Sequence, residues 1–362
     1  MNTVGIISDK DFEILNEPPY PHPYFESFEN PLRIKCIMDY FKKEKLFEEN
    51  RVKKIPINKF DDSIIELVHS KYHIDSIKFF SKMGSGNIGE TVYITKDTFN
   101  LSKKAIEGTI TALSSVISGD INQSFAFIRP PGHHALRDIA SGLCIFNNIA
   151  IGIQYLRNIR KIANKIAIID IDNHYGDGLA KIFYEDQDVL YFSVHEYDFE
   201  QGELGSIYEL GNNKGLGYNI NFPIPCNTTD DYYLEFFDIM EPIFTKFNPE
   251  LIIVACGFDC HYTDPIGNCL LTANSYIKFT QKLLKLANKI CNGKISFILE
   301  GGYSLSALPI CSFSIIKELL GEQVDLPIQE KIKFPENLEI SKTIRQTKTE
   351  LMDLLRNFWT NI

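Results

Sequence analysis

From residue 125 onward the chain alternates short apolar runs with longer stretches of helical spacing. The runs are Phe125–Ile128, Ile166–Ile169, Val189–Val194, Tyr218–Ile224, Leu251–Ala255 and Ile295–Leu299. Apolar runs of about four to eight residues bounded by turn-formers read as buried strands. Between them, Cys144–Ile159, Gly178–Tyr184, Asp231–Phe247 and Tyr276–Ile290 repeat apolar residues three and four apart, as helices do. Strands buried on both faces and separated by helices predict a parallel sheet covered on each side.

The first third is less regular. Val4–Ile7 reads as a strand, and Arg33–Phe41, Ile64–Phe80 and Leu101–Ile117 read as helices. Pro18, Pro19, Pro21, Pro23 and Pro31 leave no room for regular structure. That stretch is expected to be an ordered surface loop with Tyr20, Tyr24, Phe25 and Phe28 packed down. Gly84–Gly89 is glycine-rich, but no Gly-Lys-Ser/Thr follows, which argues against a phosphate cradle. Ile340–Phe358 has the spacing of an amphipathic helix that packs back on the body. No repeat, linker or low-complexity tract intervenes, so residues 1–362 are read as one domain carrying that C-terminal helix at about 340–358.

Composition narrows the class. With 44% hydrophobic and 23% charged residues, the chain can bury a sizeable core. Its net charge of −10 argues against direct nucleic-acid binding and is compatible with cationic partners. No apolar run approaches the roughly 18 residues of a membrane span, and no apolar leader follows Met1, so a cytoplasmic protein without membrane attachment is expected. The eight cysteines form no CxxC pair and read as reduced core residues.

The candidate chemistry sits where the runs end. In parallel sheets, ligand sites form outside the carboxyl ends of the strands. Four runs lead there into polar clusters: Arg129–His134, Asp170–Asp177, Cys256–Asp259 and Glu300–Tyr303. Taken singly these are a turn, a solvated Asp-x-His, a cap and a flexible loop. Their coincidence at one sheet edge is what points to a site. If extension persists past Ile169, Asp170, Asp172 and His174 face one way, and ionisable groups buried together need a cation or hydrogen-bond partners. Asp172, His174 and Asp259 form a three-ligand set with open positions, typical of catalytic zinc, and the oxygen-rich donors also suit Fe(II) or Co(II). The adjacent His133 and His134 suit a pair of bases beside the metal, with Asp170 and Asp177 available to fix their tautomers. Tyr303, on the Gly301-Gly302 turn, offers a hydroxyl to a developing oxyanion. Together these groups describe hydrolysis of an amide or ester by metal-activated water.

The motifs carry a resemblance. They are Arg-Pro-Pro-Gly-His-His-Ala (129–135), Gly-Leu-Cys-Ile-Phe-Asn-Asn (142–148), Asp-Ile-Asp-Asn-His-Tyr-Gly-Asp-Gly (170–178), Ser-Val-His (193–195), Gly-Phe-Asp-Cys-His-Tyr-Thr-Asp-Pro-Ile-Gly (257–267) and Glu-Gly-Gly-Tyr (300–303). In this order they resemble the zinc-dependent histone deacetylase superfamily, which includes acetylpolyamine amidohydrolases and prokaryotic deacetylase-like proteins, over about residues 4–320. The resemblance implies an arginase-like three-layer α/β/α fold with a mostly parallel sheet. It implies zinc on Asp172, His174 and Asp259, with His134, oriented by Asp177, as general base and then acid. His133, held by Asp170, would add electrostatic support, and Tyr303 would polarise the scissile carbonyl. A structural potassium ion is implied near Asp170, Ser193 and the backbone of Asp172 and His174. Gly142, Leu143, Ile266 and Gly301 fall where the family binds substrate. The expected reaction removes acetyl or other short acyl groups from lysine side chains of a protein or peptide, with acetylated polyamines as the alternative substrate and a homo-oligomer left open.

Several positions depart from the family pattern. Leu143 stands where an aromatic ring usually lines the acyl-lysine tunnel, and loop Glu196–Gly205 lacks the usual Phe or Tyr-Pro-Gly pattern. Either the slot stays open, favouring acyl groups longer than acetyl, or Tyr197, Phe199 or Tyr208 refills it. Asn173 and Tyr175 flank His174 where Val or Leu and His are common. After Asp264-Pro265 comes Ile266 rather than an acidic gatekeeper, which favours peptide over polyamine. An arginase-type ureohydrolase would need a further metal ligand where Gly176 stands, and a non-catalytic acyl-lysine reader would be expected to lose Tyr303 or a ligand.

Overall fold

In the computed structural model, residues 2–88, 91–161 and 163–360 are described; Gly89, the last residue of the glycine-rich loop, lies outside them. In chain order the strands are β1 (Val4–Ile7), β2 (Val52–Ile55), β3 (Ser85–Asn87), β4 (Tyr93–Thr95), β5 (Gln123–Ala126), β6 (Ile166–Asp170), β7 (Val189–Glu196), β8 (Asn219–Ile224), β9 (Leu251–Cys256) and β10 (Ile295–Leu299). The helices are α1 (Leu32–Lys43), α2 (Lys71–Met83), α3 (Thr98–Ile117), α4 (Asn148–Gln154), α5 (Asp177–Phe183), α6 (Asp230–Tyr233), α7 (Phe237–Phe247), α8 (Ala273–Ile290), α9 (Ala307–Leu319) and α10 (Leu338–Leu355).

Eight strands form one sheet in the order β2-β1-β5-β10-β9-β6-β7-β8, every neighbouring pair parallel. The central strands β6, β9 and β10 are apolar apart from Ser296 and the terminal Asp170, and fully buried, as a sheet covered on both faces requires. The serines that interrupt this pattern satisfy each other: Ser124 on β5 and Ser296 on β10 lie 2.7 Å apart through their hydroxyls. Pro223 is tolerated because β8 is the edge strand, paired only with β7. Helix α3 packs on β1, β5 and β10 and against α4, while α9 packs against α1 and α8.

The order of strands positions the site. The four runs that end in polar clusters are β5, β10, β9 and β6, which are consecutive neighbours, and β7 with Ser193 follows. Register places Asp170 beside Ser193 on one side and Ala255 on the other.

Some expected elements differ. The helix expected over Ile64–Phe80 is a 3₁₀ turn, Asp62–Leu67, followed by α2, because Ser70 caps α2 by accepting the N–H of His73 at 3.3 Å. Regular helix in Cys144–Ile159 begins only at Asn148, where the Asn147 side chain accepts the N–H of Ala150 at 3.1 Å, and it ends in a π-helical turn. Asp231–Phe247 divides into α6, a 3₁₀ turn and α7. The aromatic rings of the proline-rich loop are not all packed down: Tyr24 and Phe25 are exposed, whereas Phe28 packs on Tyr303. The hairpin β3–β4, edge strand β2 and helix α9 lay outside the elements read from the sequence. Helix α10 packs on β8, with Lys348 bonded to Asp238 at 2.8 Å and the Trp359 indole donating to Gly217 O at 2.8 Å.

Candidate active site

Extension does not persist past β6. The backbone bends over residues 172–174, and α5 starts at Asp177. These bends, rather than strand periodicity, gather the carboxylates. Asp172 Oδ1 accepts the N–H of His174 at 3.0 Å, and His174 Nδ1 lies 3.3 Å from Asp172 Oδ1 and 3.1 Å from Asp259 Oδ2. One donor atom from each of Asp172, His174 and Asp259 lies within 4.8 Å of the others. Asp259 is delivered from the end of β9, and its Oδ1 accepts the N–H of Asn173 at 2.8 Å.

Two glycines make room for this set. A Cβ on Gly301 would come within 2.3 Å of Asp259 Oδ2 and 2.5 Å of Asp172 Oδ2, and one on Gly257 within 2.2 Å of Asp172 Oδ2. The Gly301 N–H donates to Asp172 Oδ2 at 2.8 Å, so this glycine holds a candidate ligand carboxylate.

The buried carboxylates here face imidazoles and no guanidinium or ammonium group among the described residues. Asp170, Asp172 and Asp259 are all at most 1% exposed, and none has a Lys or Arg ion-pair partner among the described residues. Burial and the charge of Asp172 raise the Asp259 carboxyl to about 7. Although burial favours neutral imidazole, Asp172 and Asp259 together hold His174 well above its ordinary value. Two buried carboxylates and an imidazole crowded around one point fit a divalent ion.

The two histidines are held in different ways. His133 Nδ1 lies 3.2 Å from Asp170 Oδ2, which also accepts the Tyr191 hydroxyl at 2.9 Å. Burial disfavours the charged ring, but Asp172 and Asp170 outweigh it and raise His133 to about 10. His134 Nδ1 donates to Asp177 Oδ1 at 2.8 Å, which leaves Nε2 as the free base. Burial, and then the charge of His133, press His134 below its ordinary value, against the pull of Asp177.

Tyr303 is 8% exposed, with the Arg33 guanidinium 4.7 Å from its ring centroid. Burial outweighs Arg33, and the charges of Asp259 and Asp172 add to it, so the hydroxyl stays well above its ordinary pKa and keeps its proton. Its backbone is held by Asp264, whose Oδ2 accepts the N–H of Tyr303 at 2.6 Å and of Ser304 at 3.1 Å.

Ser193, placed beside Asp170, has its hydroxyl 2.8 Å from His195 Nδ1. His195 is buried and pushed down to about 3 by that burial, so its ring is neutral.

Of these groups, His134, His174 and Asp177 open onto a cavity of about 1180 Å³ that Gly142 and Ile266 also line. Leu143 is 4% exposed and is not among its lining residues. Tyr197 and Phe199 do line it, edge to face at 5.1 Å, while Tyr208 points into solvent. Asn173 Nδ2 donates to Glu196 Oε2 at 2.8 Å, which ties the ligand loop to the start of the aromatic loop. Asn337, Glu339, Ile340 and Thr343 at the start of α10 form part of the wall.

Sequence reading missed several of these supports. Arg33 donates to the carbonyls of Gly302 and Glu300, and nothing in its helical context marks it. Glu300 Oε2 accepts the N–H of Gly132 and His133 at 2.6 and 3.1 Å, tying the histidine turn to the tyrosine turn. Asp264 lies inside a quoted motif, where its place before Pro265 was the available signal.

A parallel α/β sheet with flanking helices and a carboxylate–histidine cluster at its strand ends is the arginase-like α/β architecture. Over residues 27–319 the chain matches the histone deacetylase domain, and it belongs to that family. It is 34% identical to the "Probable deacetylase" of Archaeoglobus fulgidus, covering 98% of this chain and 95% of that one. It is 31% identical to the histone deacetylase-like amidohydrolase of Pseudomonas aeruginosa, covering 84% of this chain and 79% of that one. The crystal structure of an HDA15 HD domain superposes with a TM-score of 0.84 at 28% identity, covering 99% of this chain and 95% of that one.

Proposed function

We propose that the protein is a zinc-dependent deacylase acting on N-acyl-lysine side chains of proteins or peptides. The observation that carries this reading is the His134–Asp177 pair opening onto the same cavity as His174, whose ring lies against the buried carboxylates of Asp172 and Asp259. Zinc held by those three residues would supply Lewis acidity, polarising the amide carbonyl and lowering the pKa of water. His134 Nε2 takes the proton of the attacking water and returns it to the leaving amine, with Asp177 fixing the tautomer. His133, charged and anchored on Asp170, stabilises negative charge developing nearby. Tyr303 keeps its proton and donates a hydrogen bond to the carbonyl oxygen as that oxygen becomes anionic. Asp170 and Ser193, adjacent in register, would hold a structural potassium ion.

The acyl chain and lysine stem would run between Gly142 and the rings of Tyr197 and Phe199, which supply the aromatic wall that Leu143 does not. Ile266 in that wall favours a lysine side chain over a polyamine backbone. Acetylpolyamine hydrolysis is the second reading, favoured by the carboxylates of Glu196, Asp198, Glu200 and Glu203 along the cavity. All eight cysteines are free, which suits a protein of the reducing cytoplasm.

The test is one assay of zinc-loaded protein against acetyl-, propionyl- and butyryl-lysine peptides and N8-acetylspermidine. Higher kcat/KM on an acyl-lysine peptide is expected. A higher value on acetylspermidine moves the assignment to polyamines, and no hydrolysis of either class overturns the reading.

A further inference from the structure

The matched deacetylase domain ends at Leu319, but the chain continues through a 3₁₀ turn, Ile328–Lys331, and into α10. Glu330 in that turn is 3% exposed, and a buried carboxylate needs partners. Its Oε2 accepts the N–H of Ala273, the first residue of α8, at 2.8 Å and lies 3.0 Å from His261 Nε2. His261 Nδ1 accepts the N–H of Thr263 at 3.2 Å, so the ring proton sits on Nε2 and is donated to Glu330. Thr263 Oγ1 lies 2.9 Å from His261 Nδ1 and 2.6 Å from the hydroxyl of Ser304, the residue after Tyr303.

The segment Asp259–Asp264 is therefore a short bridge. A metal-ligand candidate stands at one end, and the carboxylate that cradles the Tyr303 backbone stands at the other. Glu330 clamps its middle. The same C-terminal segment covers the bridge from outside: the Tyr262 hydroxyl donates to Gln329 O at 3.1 Å, and Phe334 packs on the Tyr262 ring. Ligands and oxyanion donors lose effect when displaced by a fraction of an ångström, and loops hold such positions only when tied down.

We propose, given the metal-dependent hydrolase read above, that Glu330 is a positioning residue: through His261 it sets the place of both Asp259 and Tyr303, so the segment beyond the deacetylase domain completes the active site. A purely structural clamp could be replaced by an apolar side chain with little change in function, since buried charged pairs are often exchanged for hydrophobic ones without loss of stability.

The experiment uses the full chain and Glu330→Leu, Glu330→Gln and Thr263→Val. Zinc affinity is read by chelator competition with no substrate present, and kcat and KM are read on an acetyl-lysine peptide. Glu330→Leu should weaken zinc affinity and lower kcat by about tenfold or more each, with KM changed far less. Glu330→Gln keeps an acceptor oxygen and should restore both. Thr263→Val, at an exposed position, should lower kcat at least about twofold by cutting the link to Ser304. Native zinc affinity and kcat in Glu330→Leu, or equal losses in the Leu and Gln variants, overturn the proposal. Should Glu330→Leu not fold, Thr263→Val decides, and a kcat loss below about twofold overturns it. If the native protein hydrolyses no acyl amide, the functional reading fails, while the zinc measurement still decides the role of Glu330.

Discussion

Two histidines adjacent in the chain have opposite protonation tendencies. His133 faces Asp170 and Asp172 and is driven toward its charged form. His134 has one carboxylate partner and a charged neighbour, and burial keeps it neutral. A base must be neutral to act, and lowering its pKa extends the neutral form to lower pH. The acidic limb of kcat/KM should therefore fall below about 6.5, the ordinary imidazole value, with activity present above that limb and lost as pH drops through it. A limb at or above that value would assign the titration to another group. Removing the ring in His134→Ala should cost about 10²–10⁴ in kcat while zinc affinity is kept. Tyr303→Phe should cost roughly 10²–10³ in kcat, again with zinc affinity unchanged, and a loss under about threefold would show that the hydroxyl is not the oxyanion donor. These residues were legible because each lies in a contiguous motif. Arg33, which covers the Tyr303 ring, was not: its hydrogen bonds go to carbonyls some 270 residues away, at Gly302 and Glu300, and no local pattern encodes such a pairing.

At the scale of elements, the strands were legible because burial on both faces leaves nearly uninterrupted apolar runs. Their order in the sheet was not, since a parallel strand carries no mark of its neighbours. That order is what brings the ends of β5, β10, β9 and β6 side by side. Helical spacing alone also could not show the break before α2, because the capping hydroxyl of Ser70 decides it. The turn after β10 has a further requirement. Gly301 presents its N–H to Asp172 and has no space for a side chain between Asp172 and Asp259. Gly301→Ala should push the two carboxylates apart and weaken zinc affinity by about 10–100-fold, as changes beside metal ligands do. Chelator competition on the folded variant checks this. An unchanged affinity would mean that the turn yields by moving its backbone rather than the ligands.

For the whole molecule, the net charge of −10 gains meaning from where the carboxylates lie. Asp177, Glu196, Asp198, Glu200, Glu203 and Glu339 line the cavity, and no Lys or Arg is among its described lining residues. A cleft lined by one sign of charge raises the local concentration of oppositely charged ligands, and salt weakens that effect as the Debye length shortens from about 8 Å at physiological ionic strength to about 3 Å at 1 M. A peptide whose acyl-lysine is flanked by lysines should therefore lose kcat/KM as salt rises, and a peptide with neutral flanks should lose much less. Chemistry at the proposed metal site would lie in a buried setting and be screened far less, so the loss should appear mainly in KM. The neutral peptide controls for salt effects on the enzyme itself. Between about 0.05 and 0.5 M salt, a fall of at least about threefold in the ratio of cationic to neutral kcat/KM is expected. A ratio that stays constant would mean that the acidic wall does not touch the substrate, and the carboxylates would then serve loop structure alone, as Glu203 does in accepting the N–H of Asp198 at 2.8 Å.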